Sequence, residues 1–152
     1  SSIDFRKLPL DLAIKTVIGS GKRQLAVFED PSCPVCRELH GNLSQLTDVT
    51  IYHLPLPIIS EDSTPAAAMA LCIPAGRRAA KWHAYMTGSE AIPAQVDTGC
   101  EPALEKVGKL IAFSNQYKIQ NTPTMVLGNG QRVVGRVPVE ILAAALDASM
   151  VK

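Results

Sequence analysis

The sequence predicts an α/β domain built on a mixed sheet flanked by helices, with a helical insertion between its two halves. Three observations carry this prediction. A β-rich segment, a Cys-x-x-Cys corner, a helix and a second β-rich segment follow one another between Gln24 and Leu54. A region of helical spacing without strand signals then occupies residues 61–118. The chain closes on two short apolar strands about an Asn-Gly turn, followed by a last helix. Two strands joined through a helix lie parallel with a right-handed crossover, whereas the last two pair antiparallel.

Taken in order, the segment Phe5 to Ile18 carries Leu8, Leu10, Leu12, Ile14, Val17 and Ile18 with Asp11 as a cap, and reads as a short helix or mixed linker. Residues 1–21 are therefore expected to form an N-terminal helical or linker segment, and residues 22–152 the folded domain. The turn Gly19-Ser20-Gly21-Lys22 leads into the first strand, which ends at Asp30-Pro31-Ser32. Leu39, Leu43 and Leu46 then recur at helical spacing. Val49-Thr50-Ile51-Tyr52-His53-Leu54 is the second strand, stopped by Pro55 and Pro57, which cannot donate to a ladder.

Within the insertion, Thr64-Pro65 opens a helix from Ala66 to Leu71, and Pro74-Ala75-Gly76 breaks it. Arg77 to Met86 is helical and ends at Gly88; Ser89 to Gly99 is loop. Glu101-Pro102 opens a longer helix with Leu104, Val107, Leu110 and Ile111 on one face. Thr124 to Leu127, the turn Gly128-Asn129-Gly130 and Gln131 to Val134 form the hairpin. Pro138 to Met150 is the final helix, with Ile141, Leu142, Ala145 and Leu146 as its core stripe.

Composition narrows the function. A formal net charge of +1, from 15 basic and 14 acidic side chains, gives no electrostatic case for nucleic acid or an anionic membrane. No apolar run is long enough to cross a bilayer, since Pro, Arg or Asp interrupts the alanine-rich stretches.

The chemistry lies in Cys33-Pro34-Val35-Cys36, at the junction of strand and helix. A helix beginning at the first cysteine aims unpaired backbone N–H groups and its positive dipole end at that sulfur, which favours the reactive thiolate. Four cysteines allow three pairings, and sequence does not choose strictly among them. The simplest leaves the close pair to itself and Cys72 to Cys100; two buried free thiols are the alternative. As a disulfide, Cys72–Cys100 closes a loop of about 29 residues and contributes roughly 3–4 kcal/mol on the chain-entropy model. It also implies an oxidising compartment. Cys33, Cys36 and His40 recur on one helical face, a spacing that could hold a soft metal. His53 and His83 have no evident partner and read as structural or exposed; Trp82 and Tyr85 read as packing for the insertion.

A Cys-x-x-Cys after a first strand, in this element order, resembles the thioredoxin fold, and Asn121-Thr122-Pro123-Thr124 before the strand Met125-Val126-Leu127 is a second landmark. In that superfamily a cis-proline lies against the dithiol at this point, and Thr122-Pro123 is the kind of bond where one is expected. The run Phe28-Glu29-Asp30-Pro31-Ser32-Cys33-Pro34-Val35-Cys36-Arg37-Glu38-Leu39-His40 is similar to the signature of the DsbC/DsbG branch of periplasmic disulfide isomerases. The resemblance covers roughly Lys22 to Met150. It implies Cys33 as exposed nucleophile, Cys36 as resolving thiol, Thr122 and Pro123 as backbone contacts for substrate, and Cys72–Cys100 as a structural disulfide. No cofactor is implied, and no resident metal.

Two residues depart from the family. Val35 stands where DsbC and DsbG types carry an aromatic residue, so it and Pro34 are expected to modulate the motif. Val27 stands six positions before Cys33, where thioredoxin has a buried acid. The family also has an N-terminal dimerisation domain on a helical linker, and Ile3 to Ile18 read as the tail of that linker, with homodimerisation through the preceding domain.

The function so implied is a thiol:disulfide oxidoreductase, an isomerase or reductase of misoxidised, cysteine-containing exported proteins in the periplasm of a Gram-negative bacterium. A membrane thiol reductase of DsbD type would supply electrons. The alternatives are a DsbA-like monomeric oxidase and, from another class, a soft-metal-binding or non-catalytic chaperone module.

Overall fold

The computed structural model describes residues 2–150. Five strands form one mixed sheet: β1 (Ile14–Ile18), β2 (Arg23–Glu29), β3 (Val49–Pro55), β4 (Thr124–Leu127) and β5 (Arg132–Val134). Their spatial order is β1-β3-β2-β4-β5. The crossover helix α1 (Pro34–Leu43) joins β2 to β3, which run parallel with Leu25 beside Ile51 and Val27 beside His53. All other pairings are antiparallel. The insertion supplies α2 (Thr64–Cys72), α3 (Ala75–Thr87) and α4 (Ala103–Gln116), and α5 (Val139–Ala148) closes the chain.

The N-terminal expectation is corrected. Of the segment expected over 1–21, the described residues 2–21 do not form a helical linker: two short 3-10 turns, Phe5–Lys7 and Leu10–Leu12, lead into β1, which pairs antiparallel with β3. Ile3, Phe5, Leu8, Leu12 and Ile14 are buried in the core. The physical reason is alternation: Ile14, Thr16 and Ile18 face one side of the sheet, and the pattern of period two outweighs the looser leucine spacing before it.

Because side chains alternate along a strand, β2 feeds two cores. Ala26 and Phe28 face Leu54, Val126 and the insertion helices, where Ala66, Ala67, Leu71, Val107 and Leu110 pack; Phe28 stacks on Phe113. Leu25 and Val27 face the other way, onto Leu39 and Leu43 of α1 and Leu142 and Leu146 of α5. Arg23 fixes the end of α5 by donating to the Ala143 carbonyl at 3.2 Å and to Asp147 at 3.0 Å.

Glycine matters where the backbone turns left-handed. Gly88 caps α3 at φ 80°, and Arg37, whose Nε donates to the Met86 carbonyl at 3.0 Å, would collide with a Cβ there. Gly130, in the predicted hairpin turn, has φ 89° and accepts the Ile3 N–H at 2.9 Å.

Candidate active site

The predicted dithiol sits at the start of α1. Cys33 is the N-cap, with extended backbone, and Pro34 takes the first helical position, where a missing N–H costs nothing. The Cys36 backbone N–H donates to Cys33 Sγ at 3.2 Å, so the first turn of the helix aims a partial positive charge at that sulfur. Both thiols are free of disulfide. The exposure expected for Cys33 is corrected: only 6% of its surface reaches solvent, and none of Cys36 does. The cause is Thr122, whose carbonyl accepts the Cys33 S–H at 3.5 Å. Thr122-Pro123 is a cis peptide, and it brings the segment before β4 over the thiols. Val35 at the motif's crown is 40% exposed, and Pro31, Ser32, Pro34, Arg37 and Ile92 line an open groove beside it.

Burial pushes the Cys36 thiol well above its ordinary range, and its contact with Cys33 adds to this. The two sulfurs therefore differ in kind: one receives a helix N–H beneath the Thr122 carbonyl, the other lies deeper and is held as a neutral thiol. Cys72 and Cys100 form a disulfide with Cα atoms 5.3 Å apart, joining the end of α2 to the turn before α4.

Two buried carboxylates were not among the expected site residues. Asp30, immediately below the motif, accepts Ser32 N–H at 2.9 Å and Ser63 Oγ–H at 2.5 Å on Oδ1, and Ile59 N–H at 2.9 Å on Oδ2. Its carbonyl takes the Cys33 N–H at 3.0 Å. Asp30 thus holds the cysteine turn against the start of the insertion. Glu29 lies on the other face, and its Oε1 accepts Trp82 Nε1–H at 2.7 Å and bonds to Nδ1 of His53 at 2.8 Å and of His40 at 3.1 Å. Burial alone would raise the Glu29 pKa, but His53 and His40 outweigh it and bring it down to about 2. His40 Nε2 in turn lies 3.0 Å from Nδ1 of the exposed His83, whose pKa is lowered by partial burial and the neighbouring His40 and His53.

These contacts separate His40 from the thiols. Among the described residues, the side chains grouped closely enough to share a metal are Glu29, His40 and His53, without either cysteine. The signal for Glu29 was present in alternation, since Leu25, Val27 and Glu29 share a face of a central strand. An acid there must find partners. At the place of the thioredoxin acid, Val27 is packed among apolar side chains.

This fold, with a dithiol at a helix N-terminus covered by a cis-proline segment, defines the thioredoxin class. The chain belongs to the thioredoxin-like domain family, which it matches over residues 10–149. It is 37% identical over 139 residues to a Bordetella avium protein named "Probable thiol:disulfide interchange protein DsbC", covering 91% of this chain and 47% of that one. A Bordetella pertussis protein of the same name is 37% identical over 147 residues, covering 96% and 50%. The chain spans about half the length of these curated relatives. A crystal structure of a disulfide interchange protein from Neisseria gonorrhoeae superposes with a TM-score of 0.80 at 30% identity, over 95% of this chain and 100% of that one.

Proposed function

We propose that this chain is the catalytic domain of a thiol:disulfide oxidoreductase that reduces and rearranges disulfides in misoxidised exported proteins. The observation that carries the reading is the asymmetry of the dithiol: Cys33 Sγ receives the Cys36 N–H beneath the Thr122 carbonyl, while Cys36 is buried and held as a thiol.

Once Cys33 loses its proton it no longer donates to Thr122, and the Thr122 backbone becomes free to pair with an extended substrate segment next to Pro123. The thiolate attacks one sulfur of a substrate disulfide; a Cys33–substrate S–S bond forms and the second substrate sulfur leaves as thiolate. For reduction, Cys36 gives up its proton and attacks Cys33 Sγ, releasing the first substrate sulfur. The substrate gains two electrons and Cys33–Cys36 becomes a disulfide. For isomerisation, another substrate thiolate attacks the mixed disulfide, and Cys33 departs as thiolate with no net electron transfer. Pro34 and Val35 shape the surface that meets the substrate, and Val35 presents a smaller contact than an aromatic residue in that place.

Reductive turnover requires an external thiol reductant, and a membrane reductase of DsbD type fits that role. The Cys72–Cys100 disulfide and the relatives from Gram-negative bacteria support a periplasmic setting. Homodimerisation through a further N-terminal domain would place two dithiols on one cleft. Cys33→Ser is expected to abolish insulin reduction and the rescue of scrambled ribonuclease while leaving the fold intact. Turnover retained by that variant would overturn the reading. The equilibrium potential of Cys33–Cys36 against glutathione, with the oligomeric state recorded, separates an isomerase from a strongly oxidising monomer.

A further inference from the structure

A cavity of about 310 Å³ opens on the far side of α1, between that helix, α3 and the β1–β3 edge of the sheet. Its walls are largely apolar, with Ile18, Leu43, Ile51 and Ala79, but three imidazoles enter it: His40, His53 and His83. The ring centroids of His40 and His53 are 5.1 Å apart, and those of His40 and His83 5.2 Å. We propose that His40 and His83 form a two-histidine binding site for a borderline divalent transition metal such as Zn²⁺, its remaining positions open to the cavity, with His53 sharing the carboxylate that orients His40.

The carboxylate behind the imidazoles is the first support. Glu29 Oε1 is shared by Nδ1 of both His40 and His53. In the uncharged form each ring then keeps its proton on Nδ1 and turns an unprotonated Nε2 outward. A carboxylate that fixes the tautomer and orientation of an imidazole in this way is the usual outer partner of a metal-bound histidine. Glu29 Oε2 is buried without a hydrogen-bond partner, so the charge of this group is incompletely compensated by its present donors.

Spacing is the second support. His40 Nε2 and His83 Nδ1 face one another at 3.0 Å. Two nitrogens on a tetrahedral zinc, each at about 2.0–2.1 Å, stand about 3.3 Å apart. Opening the pair by a few tenths of an ångström is therefore enough, and His83 is on an exposed helix position that allows it. Binding needs no net change of protonation: His83 moves its single proton from Nδ1 to Nε2 and offers Nδ1 to the metal. Imidazole-only donor sets suit Zn²⁺, Cu²⁺ and Ni²⁺ rather than Mg²⁺ or Ca²⁺. The ion would join α1 to α3 across a sequence separation of 43 residues.

This inference does not depend on the redox reading, and the test keeps the two apart. Zn²⁺ is titrated calorimetrically into tag-free protein whose Cys33–Cys36 pair has been oxidised to the disulfide, so that no thiolate can compete. One zinc per chain is expected, with affinity at least tenfold weaker in His83→Ala and in His83→Gln, both with unchanged circular dichroism and unchanged insulin reduction. In the same titration the ring proton resonances of His40 and His83 shift together. Absence of zinc uptake by the oxidised protein, uptake that both His83 variants retain, or shifts confined to His83 would each show the histidines to be a hydrogen-bonded cluster only.

Discussion

Ser63 Oγ donates to Asp30 Oδ1 at 2.5 Å, across the gap between the helical insertion and the turn that carries Cys33. The contact joins residues 33 positions apart and is buried, with both side chains inaccessible to solvent. Ser32 Oγ also contacts Ser63 Oγ, so the motif's own turn shares the same donor network. The dithiol is thus positioned from below by Asp30 as well as covered from above by Thr122.

Ser63→Ala removes one donor from a buried carboxylate that retains two backbone N–H groups. It is expected to destabilise the domain by about 1–3 kcal/mol. Urea denaturation of the oxidised protein measures this. The same variant should reduce insulin more slowly, because the turn before Cys33 loses its tie to the insertion; equal stability and equal rate would remove Asp30–Ser63 from the positioning role.

How much of this was legible beforehand differs by element. The path from β2 through α1 to β3 follows from local signals: Leu39 and Leu43 at helical spacing, the strand ended at Pro55, and Thr122-Pro123 before an apolar run. The hairpin follows from Asn129-Gly130. What failed was non-local. β1 is an edge strand with one buried face, so its signal is half that of a central strand, and the preceding leucines blurred it. The burial of Cys33 depends on a carbonyl 89 positions away, and no local pattern reports that contact. The Glu29 cluster draws on β2, α1, β3 and α3. Alternation marked Glu29 as core-facing, but only the pairing of Val27 with His53 showed which partner stood diagonally across from it.

The two thiols should label in sequence. Burial and the neighbouring Cys33 raise the Cys36 pKa, so Cys36 remains a thiol where an ordinary cysteine, at 9.0, would already be ionised. Iodoacetamide applied to the reduced protein at neutral pH is expected to modify Cys33 alone, with Cys36 unmodified until the pH is well above 9.0 or the chain unfolds. Peptide mass mapping of the quenched protein checks the order. Equal labelling of both at neutral pH would contradict the asymmetry on which the exchange mechanism rests.

The Cys72–Cys100 bridge restrains the unfolded chain over a separation of 28 residues. In the folded protein it ties the end of α2 to the turn before α4. Replacing both cysteines by serine is expected to lower stability by roughly 3–4 kcal/mol, read as a lower urea midpoint. The dithiol lies on α1 and not on either tied helix, so insulin reduction at low temperature should persist in the double variant.

Glu29 gives the domain a specific acid sensitivity. Its folded-state pKa is lowered from 4.5 to about 2, so its contribution to stability is fully present above about 4.5, where the unfolded chain also carries the carboxylate. As pH falls from there towards 2, the unfolded state takes up a proton before the folded state does, and the contribution is lost. A shift of this size corresponds to stabilisation on the order of 3 kcal/mol at neutral pH. Glu29→Gln removes the charge while keeping the shape, and leaves the Trp82, His40 and His53 donors facing a weaker acceptor. The variant should therefore be markedly less stable than the parent at pH 7 and approach it between pH 4 and pH 2, where the parent loses its advantage. Urea midpoints of the oxidised proteins at intervals across that range measure the difference. A gap that stays constant with pH would assign the loss to packing around Trp82 and not to the buried charge.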